Sequence, residues 1–161
     1  MVPKQARASQ KVKLQRYASL LGAVSFALPL SAPAAAGADG MTGNWITQDH
    51  SVVQIYSCGG DMLCAKLIRT VLPNSIDDLN PDPLLKNRPI CGVQLGKDFA
   101  VIDPSHAKAG KFYDPNVGKT YTADITLTGE TLKVRGYIGV SLFGRTETWH
   151  RTNEAIKPCA S

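Results

Sequence analysis

The chain has no acidic residue before Asp39. Nothing therefore offsets Lys4, Arg7, Lys11, Lys13 and Arg16, and behind these cations runs "YASLLGAVSFALPLSAPAAAGA". A basic stretch, an apolar run and then small residues are the layout of a secretory signal, with A-x-A sites at Ala34-Ala35-Ala36 and Ala36-Gly37-Ala38. The expectation is a signal peptide over 1–38, cleaved near Ala36 or Ala38, and a single domain over 39–161. The unbroken run of roughly 20 apolar residues that spans a bilayer is also lacking, because Pro29, Ser31 and Pro33 interrupt this one. No stable membrane span is expected after processing, and no cysteine follows the signal directly to carry a lipid. Of the 18 Lys and Arg, five lie in the signal, leaving 13 against 13 Asp and Glu. A formally neutral mature chain has no electrostatic basis for binding nucleic acid.

Signatures of familiar chemistries are missing as well. There is no Walker loop and no dinucleotide fingerprint. "GVSLFG" around Ser141 has the wrong glycine spacing for a nucleophile elbow, and no strand-to-helix turn follows it. His50, His106 and His150 fall at no ligand or triad spacing; only His106, in a polar segment with a tyrosine and an acid, is carried forward as a candidate. There is no C-x-x-C: Cys58 and Cys64 flank one tight turn, which favours a structural disulfide over zinc or redox chemistry. An even cysteine count in an exported chain favours two bridges, and Cys91 and Cys159 are the candidates for the second. No metal or cofactor is expected.

Past the signal there is no long helical period. Short alternating runs separated by turn residues recur instead, which argues for an all-β domain. In "YTADITLTGETLKVRGYI", Tyr121, Ala123, Ile125 and Leu127 share one face, and after the Thr128-Gly129 turn Leu132 and Val134 oppose Lys133 and Arg135. Strands are also expected at 43–47, 51–58, 63–70, 90–95, 98–103 and 145–151, with Gly96-Lys97 as a turn and 104–119 as a polar connection. Eight antiparallel strands in sequential hairpins are best satisfied by an up-and-down barrel, in preference to a two-sheet sandwich. Such a barrel is filled by its own side chains or holds one small ligand.

The connection over 71–89 is long for a compact domain and stiffened by four prolines. Asp78, Asn80 and Asp82 imitate the start of a calcium loop, but Pro83 takes the glycine position and Pro89 the place of the bidentate glutamate. With Arg88, these three and the "YDPNVG" residues Tyr113 and Asp114 form the candidate site, where Arg88 is expected to pair with Asp82 or Asp114 and clamp the two loops.

"GNW" at Gly43–Trp45 on the first strand and "TWHR" on the last resemble the lipocalin or calycin pattern. That resemblance implies that Trp45 plugs one barrel end and that Arg151 packs across its ring. The ordered set "GNW", "CGGDMLCAK", "NPDPLLKNRP", "KFYDPNVGKTY", "LKVRGYIG" and "TETWHR" is similar to domain of unknown function 2147, a family of small exported bacterial proteins. The resemblance implies a calycin-type barrel and brings no established activity. Members often carry cysteines near the penultimate turn, where this chain has Tyr137 and "SLFG".

The leading functional expectation is a periplasmic or secreted, lipocalin-like protein that binds a small apolar or amphipathic ligand in the barrel, or an envelope partner at its loop-bearing end. Its oligomeric state is left open. The rivals are an enzyme at the barrel mouth, built from Asp78, Asp82, Arg88, His106, Tyr113 and Asp114, and a purely structural envelope role. An enzyme requires those groups to converge in one cleft.

Overall fold

A computed structural model describes residues 38–72, 74–157 and 159; the expected signal segment, apart from Ala38, lies outside them. After one 3-10 turn (Ala38–Gly40) come eight strands: β1 (Gly43–Ile46), β2 (Val52–Gly59), β3 (Met62–Arg69), β4 (Gln94–Asp103), β5 (His106–Asp114), β6 (Lys119–Thr128), β7 (Thr131–Tyr137) and β8 (Arg145–Thr152). Each pairs antiparallel with the next, and β1 also pairs with β8, with Trp45 opposite Arg151. The barrel is closed, so no row of unpaired backbone groups faces water along an edge. No helix among the described residues is long and apolar enough to cross a membrane.

Strict up-and-down order sends successive connections to alternate ends. The β1–β2 turn, the long 70–93 connection, the β5–β6 turn and the 138–144 segment share one end, hereafter the loop end. The 3-10 turn and the three remaining hairpin turns share the other, the plug end.

The count of eight strands agrees with the alternation, but two assignments do not. Gly96-Lys97 is no turn: it lies inside β4, which runs unbroken from Gln94 to Asp103. The polar connection 104–119 contains a whole strand, β5. Both departures have one cause. Asp98 and Ala109 take left-handed backbone (φ 59° and 58°) where the pairing of β4 with β5 passes from Lys97–Lys111 to Ala100–Lys108. Such irregularities break the two-residue period on which a strand is recognised. The Ala109 N–H is satisfied by the Asp124 carboxylate at 2.9 Å.

The irregularity also makes room for a core aromatic. Phe99 is 1% exposed and lies across Gly96 and Gly110. A β-carbon on Gly96 would come 2.7 Å from the Phe99 ring and 2.9 Å from Ala65 Cβ, and one on Gly110 would be closer still. With Met41, Trp45, Ile55, Leu63, Ile125 and Leu132, Phe99 fills the plug-end half of the barrel solidly.

Both disulfides form. Cys58–Cys64 staples the β2–β3 hairpin, and Cys91–Cys159 ties the long connection to the segment after β8, where the Cys159 N–H also donates to the Ile68 carbonyl at 3.2 Å.

Candidate functional site

The plug end is built on Trp45. Its side chain is fully buried and its indole N–H donates to the Met41 carbonyl at 3.0 Å. The Arg151 guanidinium sits 4.2 Å from the ring centroid. It donates to the carbonyls of Thr42 (3.0 Å) and Gly40, and its Nε pairs with Glu130 at 3.0 Å. Gly43 has φ +120°, and a β-carbon there would press on the guanidinium at 3.0 Å, so glycine two residues before Trp45 suits both backbone and packing. Cation over ring, fork donors on two carbonyls and a buried indole close this end.

At the loop end the polar groups gather on a residue outside the sequence-derived set. Asp77 is fully buried. Its Oδ1 accepts from the Tyr113 hydroxyl at 2.5 Å, and its Oδ2 accepts from Asn80 Nδ2 (2.7 Å) and from Arg88 Nε (3.0 Å) and Nη2 (2.8 Å). Burial pushes the Asp77 carboxyl up, but the hydrogen bonds from Tyr113, Asn80 and Arg88 and the Arg88 charge outweigh it and hold the group below the usual carboxylate range. Burial, and then the hydrogen bond to Asp77 and its charge, push the Tyr113 hydroxyl up to about 12. The backbone joins in: Asp77 N–H donates to the Arg88 carbonyl and Asn80 N–H to the Asp77 carbonyl, both at 3.0 Å, and Ile76 bridges Pro89. Gly118, at φ +63°, lies so close under the Leu79 carbonyl that no β-carbon fits between them. The long connection is thus bolted to β5 and to the β5–β6 turn.

Arg88 pairs with Asp77 of its own connection and not with Asp82 or Asp114, so the expected clamp by Arg88 between two loops does not form; the tie across to β5 is the Tyr113–Asp77 hydrogen bond. Asp82 caps its own turn, accepting from Leu84 N–H at 2.9 Å, and Asp114 does the same for Asn116 N–H at 2.9 Å. Asp78 is exposed. His106 is at the plug end, where its Nδ1 lies 2.9 Å from both Asp103 oxygens; the hydrogen bond from His106, with one from Ser105 N–H, lowers the Asp103 carboxyl. The polar candidates therefore divide between two ends of the barrel and do not form one cleft. No group of three or more His, Cys, Asp or Glu among the described residues is arranged to hold a metal.

A wide concave feature lies elsewhere, inside the barrel. Above the packed half, a cavity of about 1030 Å³ opens at the loop end. Its walls include Val53, Leu67, Leu95, Ala123, Val134 and Trp149 with Glu147 among them, and its rim carries apolar Val71, Leu72, Val117, Ile138 and Phe143 beside polar Asp49, Asn116 and Arg145. Of the candidates named from sequence, only Asp114 lines it. The residues missed are Asp77, Glu147 and Trp149. For the last two a signal existed: alternation along "RTETWHR" puts Glu147 and Trp149 on the same inward face as Arg151.

Closed eight-stranded order, a plugged end and a hollow opposite half define a lipocalin-like barrel. The solved structure of protein HP1028 from Helicobacter pylori, described as belonging to the lipocalin family, is similar with a TM-score of 0.67 and 26% identity, over 74% of this chain and 90% of that one. The chain belongs to the family described as "Uncharacterized protein conserved in bacteria (DUF2147)", whose model matches residues 43–151. No curated protein matches it.

Proposed function

We propose that this protein is an exported binder that takes a small apolar or amphipathic ligand into the loop-end half of its barrel. One observation carries the reading: the same eight strands that pack solidly around Phe99 and Trp45 leave about 1030 Å³ open above Trp149. A domain of this size gains stability from filling its interior, and unfilled apolar volume lowers it, by about 24 cal/mol per Å³ where a packed core is hollowed by substitution. A wide apolar cavity with a few polar groups at its mouth is the usual form of a small-molecule site. Export rests on the basic, apolar and small-residue order of 1–38 and agrees with the two disulfides, which persist in oxidising compartments.

The Asp77 assembly has a mechanical part in this reading. It fixes the 70–93 connection so that Val71 and Leu72 stand at the rim, and Asp77, Asn80, Arg88 and Tyr113 are absent from the cavity lining. Native mass spectrometry of the protein taken from its own periplasm tests the proposal. A retained adduct that solvent extraction removes is expected; a bare polypeptide mass, together with no uptake of apolar fluorescent probes, overturns it.

A further inference from the structure

We infer that the ligand carries a positive charge, as a protonated amine or quaternary ammonium, seated against Glu147 and the aromatic rings around it; this rests on the cavity reading above. Glu147 lies on β8, two residues inside the strand from the rim, and is half-buried in the cavity wall. Its Oε2 accepts from the Trp149 indole N–H at 3.1 Å, which holds the carboxylate over the floor. Among the described residues Glu147 has no ion-pair partner. A half-buried carboxylate without a cation leaves a local negative potential inside low-dielectric walls, where charge interactions are stronger than at the surface.

The neighbouring rings strengthen this preference. Phe112 and Trp149 both line the cavity, with centroids 5.9 Å apart and planes tilted by 52°, and Tyr121, another lining residue, is the cross-strand partner of Phe112. Aromatic faces carry negative quadrupole charge and attract cations, most strongly when water is excluded. The carboxylate hydrogen bond polarises the Trp149 N–H and adds electron density to that ring. Of the other ionised groups on the lining, the two acids share the sign of Glu147 and are engaged locally, and the cation lies too far out to cancel the effect. Asp49 has both carboxylate oxygens engaged by Thr47 and Ser51, and Asp114 caps its turn. Arg145, the only lining cation among the described residues, is exposed at the rim, where water and salt weaken it. The apolar remainder of the ligand would then run toward Val117, Ile138 and Phe143.

The test uses decyltrimethylammonium, decanol and decanoate, each below its aggregation concentration, followed by calorimetry and by Trp149 fluorescence; Trp45, the other tryptophan, is sealed in the plug. The cation is expected to bind about tenfold or more tighter than decanoate, with decanol between them. Glu147→Gln should remove most of the cation's advantage over decanol while leaving decanol unchanged. Independently, Tyr121→Leu should weaken the cation several-fold and Tyr121→Phe should not. Equal binding of all three probes, tighter binding of decanoate, or an intact preference in Glu147→Gln overturns the inference and leaves the binding cavity standing. No binding of any probe overturns both.

Discussion

Replacing Asp77 tests whether the buried carboxylate is the bolt of the loop end. Asp77→Ala removes four hydrogen-bond acceptances at once and leaves the Arg88 guanidinium, the Asn80 amide and the Tyr113 hydroxyl facing an empty site. Arg88 is 34% exposed and can turn toward water, whereas Asp77 is wholly buried. The cost is therefore mainly lost charge-assisted hydrogen bonds and unpaired neutral donors, about 3–5 kcal/mol, the range for breaking a buried pair. Tyr113→Phe deletes one such bond and should cost about 1.5–3 kcal/mol. Because both changes break the same contact, the double variant should cost little more than Asp77→Ala alone. Urea unfolding at constant pH measures all three, since midpoint shifts convert through a common slope. An Asp77→Ala cost below about 1 kcal/mol, or costs that simply add, would refute the reasoning.

The same pair sets the pH response. Tyr113 is raised from 10.0 to about 12, so the unfolded chain loses that proton first and stability, whole below pH 10, should fall by about 1.4 kcal/mol per unit until pH 12. Tyr113→Phe should flatten most of that limb in alkaline melts, leaving the part due to Tyr137, which burial and Asp124 also raise. Asp77 is lowered from 3.8, so its contribution is present above that pH and is lost as acid carries the pH through its folded value, which urea titrations below pH 4 would show. Gly110→Ala should cost about 1–3 kcal/mol by overpacking against Phe99, and a smaller side chain at position 99 should recover part of it; a neutral Gly110→Ala would contradict the packing described. Paired Cys-to-Ser replacement should cost about 4 kcal/mol at Cys91–Cys159 and about 2 at Cys58–Cys64, following separations of 68 and 6 residues, and equal losses in thermal melts would count against the loop-entropy account.

Regular strands were legible because their alternation is intact: β6, β7 and β8 match the pattern of Tyr121–Leu127, Leu132–Val134 and the closing "RTETWHR". β5 was hidden because Ala109 breaks its period and its outward residues, Lys108 and Lys111, read as loop. The plug was legible through a resemblance that matched Trp45 to Arg151, residues whose contact alternation alone does not reveal. Asp77 was not. Two aspartates stand side by side, and the inward one is set by partners whose positions the pattern does not show: Asn80 and Arg88 in the same connection and Tyr113, 36 residues away. The division of the interior into a filled tier and an open one depends on where Phe99 falls relative to Gly96 and Gly110, a three-dimensional fact that pattern reading misses.

Those tiers have a consequence for how the molecule moves. Every long strand begins in one tier and ends in the other, so rigidity is a property of height in the barrel and not of any strand. Amide protons near Leu63, Phe99, Ile125 and Leu132 should wait for global unfolding before they exchange, while amides of the same strands nearer the mouth exchange through small local openings. The plug tier would then be a fixed collar, and the entry of a ligand under the proposed function would draw only on openings at the mouth, leaving the collar closed.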